Sequence, residues 1–268
     1  MANGRRPSVR CVLTDLDQTL LGAGRSMLRD AEGEPSLHQA SALFLCLAAE
    51  IEVVPMTAQG EPRVKATADL IGSGAYIYEG GCAVVIDGER TLLTGELVPD
   101  SERSVADKIR AAAVPELLCR HFGDALEFHM PDEEVLRAFS LLFRGKVDAG
   151  EANALLRDHG LGYLRFVDNG VIAATMPGLQ DPHSYHVVPR EASKPNAAAF
   201  YIRKRGYRPD ECVGIGDSIE DLAVAKVVGR FFVPANGPPA MRKSGRQSPA
   251  TPTSRSHRGG TDKPFARW

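Results

Sequence analysis

The stretch "VLTDLDQTLLGAG", residues 12–24, sets Asp15 and Asp17 two positions apart where an apolar run ends. Acids often mark turns, so the pair has a plain structural reading. Residues i and i+2 of an extended chain also share one side. Two carboxylates so placed can share a metal ion, attack phosphorus and move a proton. What the other strand ends carry decides between the two readings.

Residues 9–14 read as a buried strand. A helix is expected over about 35–50, with Leu37, Ala40, Leu43, Phe44 and Leu47 at helical spacing. "IEVVPMTA" follows as a strand ending in Thr57, then the helix "PRVKATADLIGS" and the strand "GAYIYEG". Strand and helix alternating through the first eighty residues predict an α/β fold with a doubly wound, Rossmann-like parallel sheet.

After Gly81 the pattern changes. "CAVVIDGERTLL" reads as a hairpin turning at Asp87-Gly88, and a helix is expected near 101–113. "FGDALEFHM", a helical stretch at 149–159, a second hairpin turning at Asn169-Gly170 and the strand "SYHVVP" complete an inserted α+β unit. The parallel-sheet pattern resumes with the helix "ASKPNAAAFYIRKRG", the strand and loop "ECVGIGDS", the helix "IEDLAVAKVVG" and the strand "RFFVPANG". The expected division is a core of residues 1–82 and 188–239, an insertion of 83–187, and a tail of 240–268. That tail carries seven Lys or Arg against one Asp, is rich in Pro, Ser and Gly, and reads as disordered and solvated.

The 268 residues carry a net charge of -2, which points to neither a nucleic-acid nor a membrane partner. Five scattered cysteines, none in a C-x-x-C pair, read as reduced thiols of a cytoplasmic protein. No secretory signal or membrane span is visible.

Four short segments stand where core strands end or helices begin: "DLDQT" with Asp15 and Asp17, "MTA" with Thr57, "ASK" with Lys194, and "GIGDSIED" with Asp217 and Asp221. In an open parallel sheet such positions converge at the carboxyl ends of the strands. Asp15 can then attack phosphorus and form an aspartyl phosphate. Asp17 can protonate the leaving alkoxide and later take a proton from water. Thr57 and Lys194 would hold phosphoryl oxygens. Asp217 and Asp221, with the Asp15 carboxylate and the Asp17 backbone carbonyl, would hold Mg²⁺.

"LTDLDQTLL", "VVPMTA", "YIYEGG", "VPREASK" and "GIGDSIEDL" resemble, in their usual order, the motifs of the haloacid dehalogenase superfamily. The long insertion resembles the larger α/β cap of its sugar-phosphate phosphatase branch. The wording is nearest mannosyl-3-phosphoglycerate and sucrose-phosphate phosphatases. The resemblance covers about residues 9–236 and implies a small phosphorylated substrate, Asp15 as nucleophile, Asp17 as acid and base, Thr57 and Lys194 as phosphate binders, and Asp217 and Asp221 around Mg²⁺.

This chain departs from the family pattern in several places. Gln18 stands where a glycine is common, its side chain expected to point away. Gly80 replaces an asparagine. Glu220 replaces the asparagine before the last aspartate, where it could alter how water on the metal is held. The basic tail replaces a further helix and strand. Arg144 and Arg190 are candidate anion contacts, and the histidines of the insertion suit packing or substrate contact better than a metal site. A phosphotransferase or mutase, a catalytically impaired remnant and a phospho-accepting signalling domain are the competing functions. The last fits poorly, because such domains are about half this length and lack the insertion.

Overall fold

The structure is a computed structural model that describes residues 9–129, 137–172 and 176–237. The core begins with β1 (Cys11–Thr14), α1 (His38–Ala48), β2 (Glu52–Pro55), α2 (Glu61–Ile71) and β3 (Ala75–Tyr78), followed by the strands β4 (Ala83–Ile86) and β5 (Glu89–Leu92). The insertion contributes α3 (Val105–Ala111), α4 (Val114–Phe122), β6 (Leu126–Phe128), β7 (Leu141–Gly145), α5 (Ala149–Asp158), β8 (Leu164–Val171) and β9 (His183–Pro189). The chain returns to the core with α6 (Lys194–Lys204), β10 (Cys212–Ile215), α7 (Ile219–Leu222) and β11 (Arg230–Phe232).

The expected parallel sheet is present, in the order β11-β10-β1-β2 with every pairing parallel. Cys11 and Leu13 of β1 and Val54 of β2 are buried beneath it against Ala197, Ala198 and Tyr201 of α6. Parallel strands need helices on their faces, and this run of apolar residues in β1 meets that need. A single parallel bridge, Met56 to Ile77, joins β3 to the edge of the sheet.

β4 and β5 form the expected hairpin, with Asp87 and Gly88 at φ 52° and 85° in its turn. β4 pairs antiparallel with β3, so the boundary expected after residue 82 falls between two paired strands. The insertion's own antiparallel sheet has the order β6-β7-β9-β8.

In four places the local structure differs from the sequence pattern or adds to it. The apolar face of α1 is not a core face: no residue of this helix is buried, and Phe44 and Leu47 are 67% and 72% exposed. Leu43 alone of the helix packs against the core. Helical spacing marks an apolar stripe, but the neighbouring elements decide whether it is covered. Beyond the helix expected at 101–113 the chain forms a second one, α4. Its start is marked by Ala113 at φ 56° and Pro115 in the first turn.

Asn169-Gly170 does not turn a hairpin. The Gly170 N–H donates to Asp168 Oδ1, and the register shifts between Asp168 and Val171. The local side-chain bond makes a β-bulge, β8 continues to Val171, and its partner is β9. The helix expected from Ile219 is only α7, continued by a 3-10 turn over Ala223–Lys226. The tail of residues 240–268 lies outside the described residues.

Core and insertion are stitched together by buried polar contacts. Glu79, just after β3, is fully buried and accepts hydrogen bonds from Ala138 N (2.9 Å), Phe139 N (3.0 Å) and Ser140 Oγ (2.7 Å). Burial raises its pKa, while the Ser140 hydroxyl and Arg137 pull it back. Arg165 on β8 donates through Nε to Ala192 O and grips Glu220 with both terminal nitrogens, at 2.6 and 3.2 Å. Removing the Glu79 carboxylate would leave three donors unpaired. We expect Glu79→Ala to lower stability by about 2–4 kcal/mol in denaturant titrations, and an unchanged midpoint would contradict this role.

Candidate active site

Asp15 follows the last residue of β1, and its backbone N–H donates to Ile215 O of the neighbouring β10 at 2.9 Å. That bond fixes the carboxylate at the carboxyl edge of the sheet. Lys194 opens α6, whose first turn is set by Ser193 Oγ accepting from Asn196 N. Its ammonium is buried and donates to Asp15 Oδ1 at 2.7 Å and Asp221 Oδ1 at 2.6 Å. Asp221 comes from α7, capped by Ser218, whose N–H and hydroxyl both donate to Asp221 Oδ2. Gly216 permits this turn, since a Cβ there would fall 2.4 Å from Asp221 Cβ.

Carboxylate oxygens of Asp15, Asp217 and Asp221 all lie within 4.8 Å of one another. Burial pushes the Asp15 carboxyl well up, against the pull of Lys194, and the other two acids add to the rise. Burial and Asp221 raise Asp217 as well. Burial alone would lower Lys194, but Asp15 and Asp221 outweigh it and its pKa rises. One ammonium therefore faces three carboxylates, a surplus of negative charge on hard oxygen donors. Such a donor set fits a divalent cation of the Mg²⁺ type.

The three acids do not offer equal coordination. Both Asp221 oxygens are engaged, one by Lys194 and one by Ser218. Asp217 Oδ1 accepts from Thr19 Oγ1 at 3.3 Å, and among the described residues no side chain donates to its Oδ2. Asp15, Asp217 and Asp221 each offer an oxygen that could hold a metal, and Asp221 fixes Lys194 as well. The Asp17 side chain stands outside this group.

Asp17 is exposed on the other side of the same opening. Gln59 Nε2 donates to its Oδ2 at 2.6 Å, and Arg25 Nε lies 3.6 Å from Oδ1. Thr57 Oγ1 accepts the Gln59 N–H at 3.1 Å, so the hydroxyl proton remains free to donate outward. All six residues singled out from sequence line one cavity of about 590 Å³.

Sequence reasoning missed Gln59, Arg25, Arg63 and Arg137, which share that cavity. Gln59 had a signal, a long polar side chain two residues beyond Thr57 on the same turn. The arginines come from loops and a helix start with no periodic pattern to mark them. Arg137 Nη1 donates to Ala58 O and bonds His186 Nδ1. Gln18 forms part of the cavity wall at φ 60°, the left-handed region that favours glycine. That is a physical reason for the glycine common in the resembled motif.

Glu220 is not turned toward the metal-type site, because its carboxylate is held by Arg165. His183 bonds Asp168, His121 bonds Glu151, and His159 bonds Leu155 O, while His129 and His186 line the cavity. Arg144 lines the cavity too, but Arg190 is exposed and bonds Gly162 O outside it. Replacing Lys194 by Met would bury Asp15 and Asp221 without their counter-charge. We expect a loss of about 3–5 kcal/mol in urea titrations of the metal-free protein, and a loss below about 1 kcal/mol would show the acids to be independent of it.

No family model matches the chain. A phosphoglycolate phosphatase of Methanoculleus marisnigri is 30% identical over 103 residues, which span 38% of this chain and 38% of that protein. A phosphatase of the haloalkanoate dehalogenase superfamily from Bacteroides thetaiotaomicron superposes with a TM-score of 0.62 at 14% identity, covering 91% of this chain and 90% of that one. The sucrose-phosphatase of Synechocystis sp. PCC6803, solved with sucrose and phosphate, gives 0.59 at 13% identity over 89% and 87%. A subclass IIB sugar phosphatase gives 0.57 at 13% over 88% and 92%. The chain has the fold of the haloacid dehalogenase superfamily, a Rossmann-like core with an inserted α/β cap.

Proposed function

We propose that the protein is a Mg²⁺-dependent phosphatase of a small phosphorylated metabolite, a sugar phosphate or a glycosyl phosphoglycerate, working through an aspartyl phosphate on Asp15. The observation that carries the reading is the joint placement of Asp15, Lys194 and two further acids at the floor of a roofed cavity, with Asp17 apart from them. The free Asp15 Oδ2 attacks phosphorus as the ester P–O bond breaks. Asp17 gives its proton to the leaving alkoxide, and Gln59 and Arg25 hold it in line. Water then attacks the aspartyl phosphate, Asp17 takes its proton, and the bond to Asp15 breaks to release inorganic phosphate.

Lys194 spends two N–H groups on Asp15 and Asp221, leaving the third for a phosphoryl oxygen. Thr57 offers its hydroxyl to another. Mg²⁺, when bound, would supply charge neutralisation between the acids and the phosphoryl group. The cap sheet would exclude water from the first step. Among the described residues no helix is long and apolar enough to cross a membrane, and the five cysteines are free, in keeping with a reducing cytoplasm.

The test is inorganic phosphate release from a panel of phosphorylated sugars and glycerates, with Mg²⁺ and with EDTA. We expect release that needs the metal and falls at least about a thousandfold in Asp15→Asn. Equal release by both proteins would contradict the reading. Phosphate transfer to a sugar acceptor without release would replace it by the phosphotransferase alternative, and substrate binding with no turnover would indicate an impaired remnant.

A further inference from the structure

The cavity is far larger than a phosphate ion, and its two ends differ in charge. Its floor carries Asp15, Asp17, Asp217 and Asp221, which among the described residues are all the acids lining it. Its roof is one face of the cap sheet. In the pairing of β7 with β9, Arg144 stands opposite Ser184 and Leu142 opposite His186, alternate positions that share a face. His129, just beyond β6, and Asn169, turned at the bulge of β8, join them at the cavity.

Three of these groups have no partner among the described residues. The Arg144 guanidinium makes no hydrogen bond or ion pair with any described residue. His129 Nε2 and the Asn169 amide nitrogen are buried without a hydrogen-bond partner. A buried donor left unmade costs about 1–3 kcal/mol, so such groups gathered on one wall call for a ligand. Glu127, opposite Arg144 in the β6–β7 register, makes no bond to it and does not line the cavity. Among the described residues the roof therefore presents a cation and an amide donor with no carboxylate to receive a hydroxyl proton. A neutral polyol end would leave that cation unmatched, whereas an anion would meet it.

We propose that the substrate carries a second anionic group, a carboxylate or a further phosphate, held at the cap roof by Arg144 with Asn169 and His129. This rests on the phosphatase reading, because the reacting phosphoryl group must occupy the floor. Arg144 then selects which phosphate esters are bound, and the cap reads the charge at the far end of the molecule.

The test uses two matched pairs of esters, titrated calorimetrically into the Asp15→Asn protein with Mg²⁺. Glycerol 3-phosphate against 3-phosphoglycerate asks for a carboxylate, and fructose 6-phosphate against fructose 1,6-bisphosphate asks for a second phosphate. We expect the more anionic member of at least one pair to bind about tenfold or more tightly. Adding Arg144→Gln should erase that preference, and adding Arg144→Lys should restore part of it. Because Arg144 has no partner among the described residues, the melting temperature should stay unchanged in both. No preference in either pair, or a preference that survives Arg144→Gln, would overturn the second-anion site while leaving the phosphatase reading intact. Binding of no ester would overturn both.

Discussion

Lys194 reaches from the first turn of α6 to the end of β1, where its buried ammonium meets Asp15, 179 positions earlier in the chain, and Asp221, 27 positions later. Each carboxylate is fixed by its own backbone: Asp15 by the pairing of β1 with β10, Asp221 by the Ser218 cap of α7. A charge this deep is tolerated only with well-placed partners. The three residues therefore constrain one another, and the sheet order, the return from the insertion and the last motif must all agree for the cluster to close. The same constraint leaves Asp15 and Asp217 with an oxygen that no other side chain engages among the described residues, where a cation and a phosphoryl group would need them.

Much of this was legible in the sequence because it rests on local rules. The apolar run ending in Asp15, the Ser193-Lys194 helix start and the "GIGDS" strand end are each short, and the switch-point rule of parallel sheets brings them together. The hairpin at Asp87-Gly88 was legible for the same reason, since a two-residue turn carries its own signature. Asn169-Gly170 has similar letters but makes a bulge, because Asp168 satisfies Gly170 locally and the strand found its partner farther on. α1 shows the reverse limit. Its stripe of Phe44 and Leu47 has the spacing of a core helix, yet burial depends on neighbours that spacing does not name.

What sequence left unread is a set of polar side chains around the cavity, Gln59, Arg25, Arg63 and Arg137. Arg137 is positioned by contacts between core and cap, Gln59 by Asp17 and Thr57 of the core, and neither lies on a recognisable repeat. Glu79 illustrates why: its letters suggest a surface acid, and only the arrival of residues 138–140 makes it a buried acceptor of three hydrogen bonds. Arg165 of the insertion and Glu220 of the core repeat the pattern. Chemistry written at strand ends is thus readable early, and contacts that form only where core and cap meet are not.

In the proposed reaction Asp15 is the nucleophile toward phosphorus, beside a cation that it would share with Asp217. A crystal grown with Mg²⁺ and beryllium trifluoride, which mimics a phosphoryl group on a carboxylate, tests it most directly. The account expects the fluoride adduct on Asp15 Oδ2, within reach of Lys194 and Thr57, and a cation about 2.1 Å from oxygens of Asp15 and Asp217. An adduct on Asp17 or Asp217, or a cation bound away from Asp15, would contradict it.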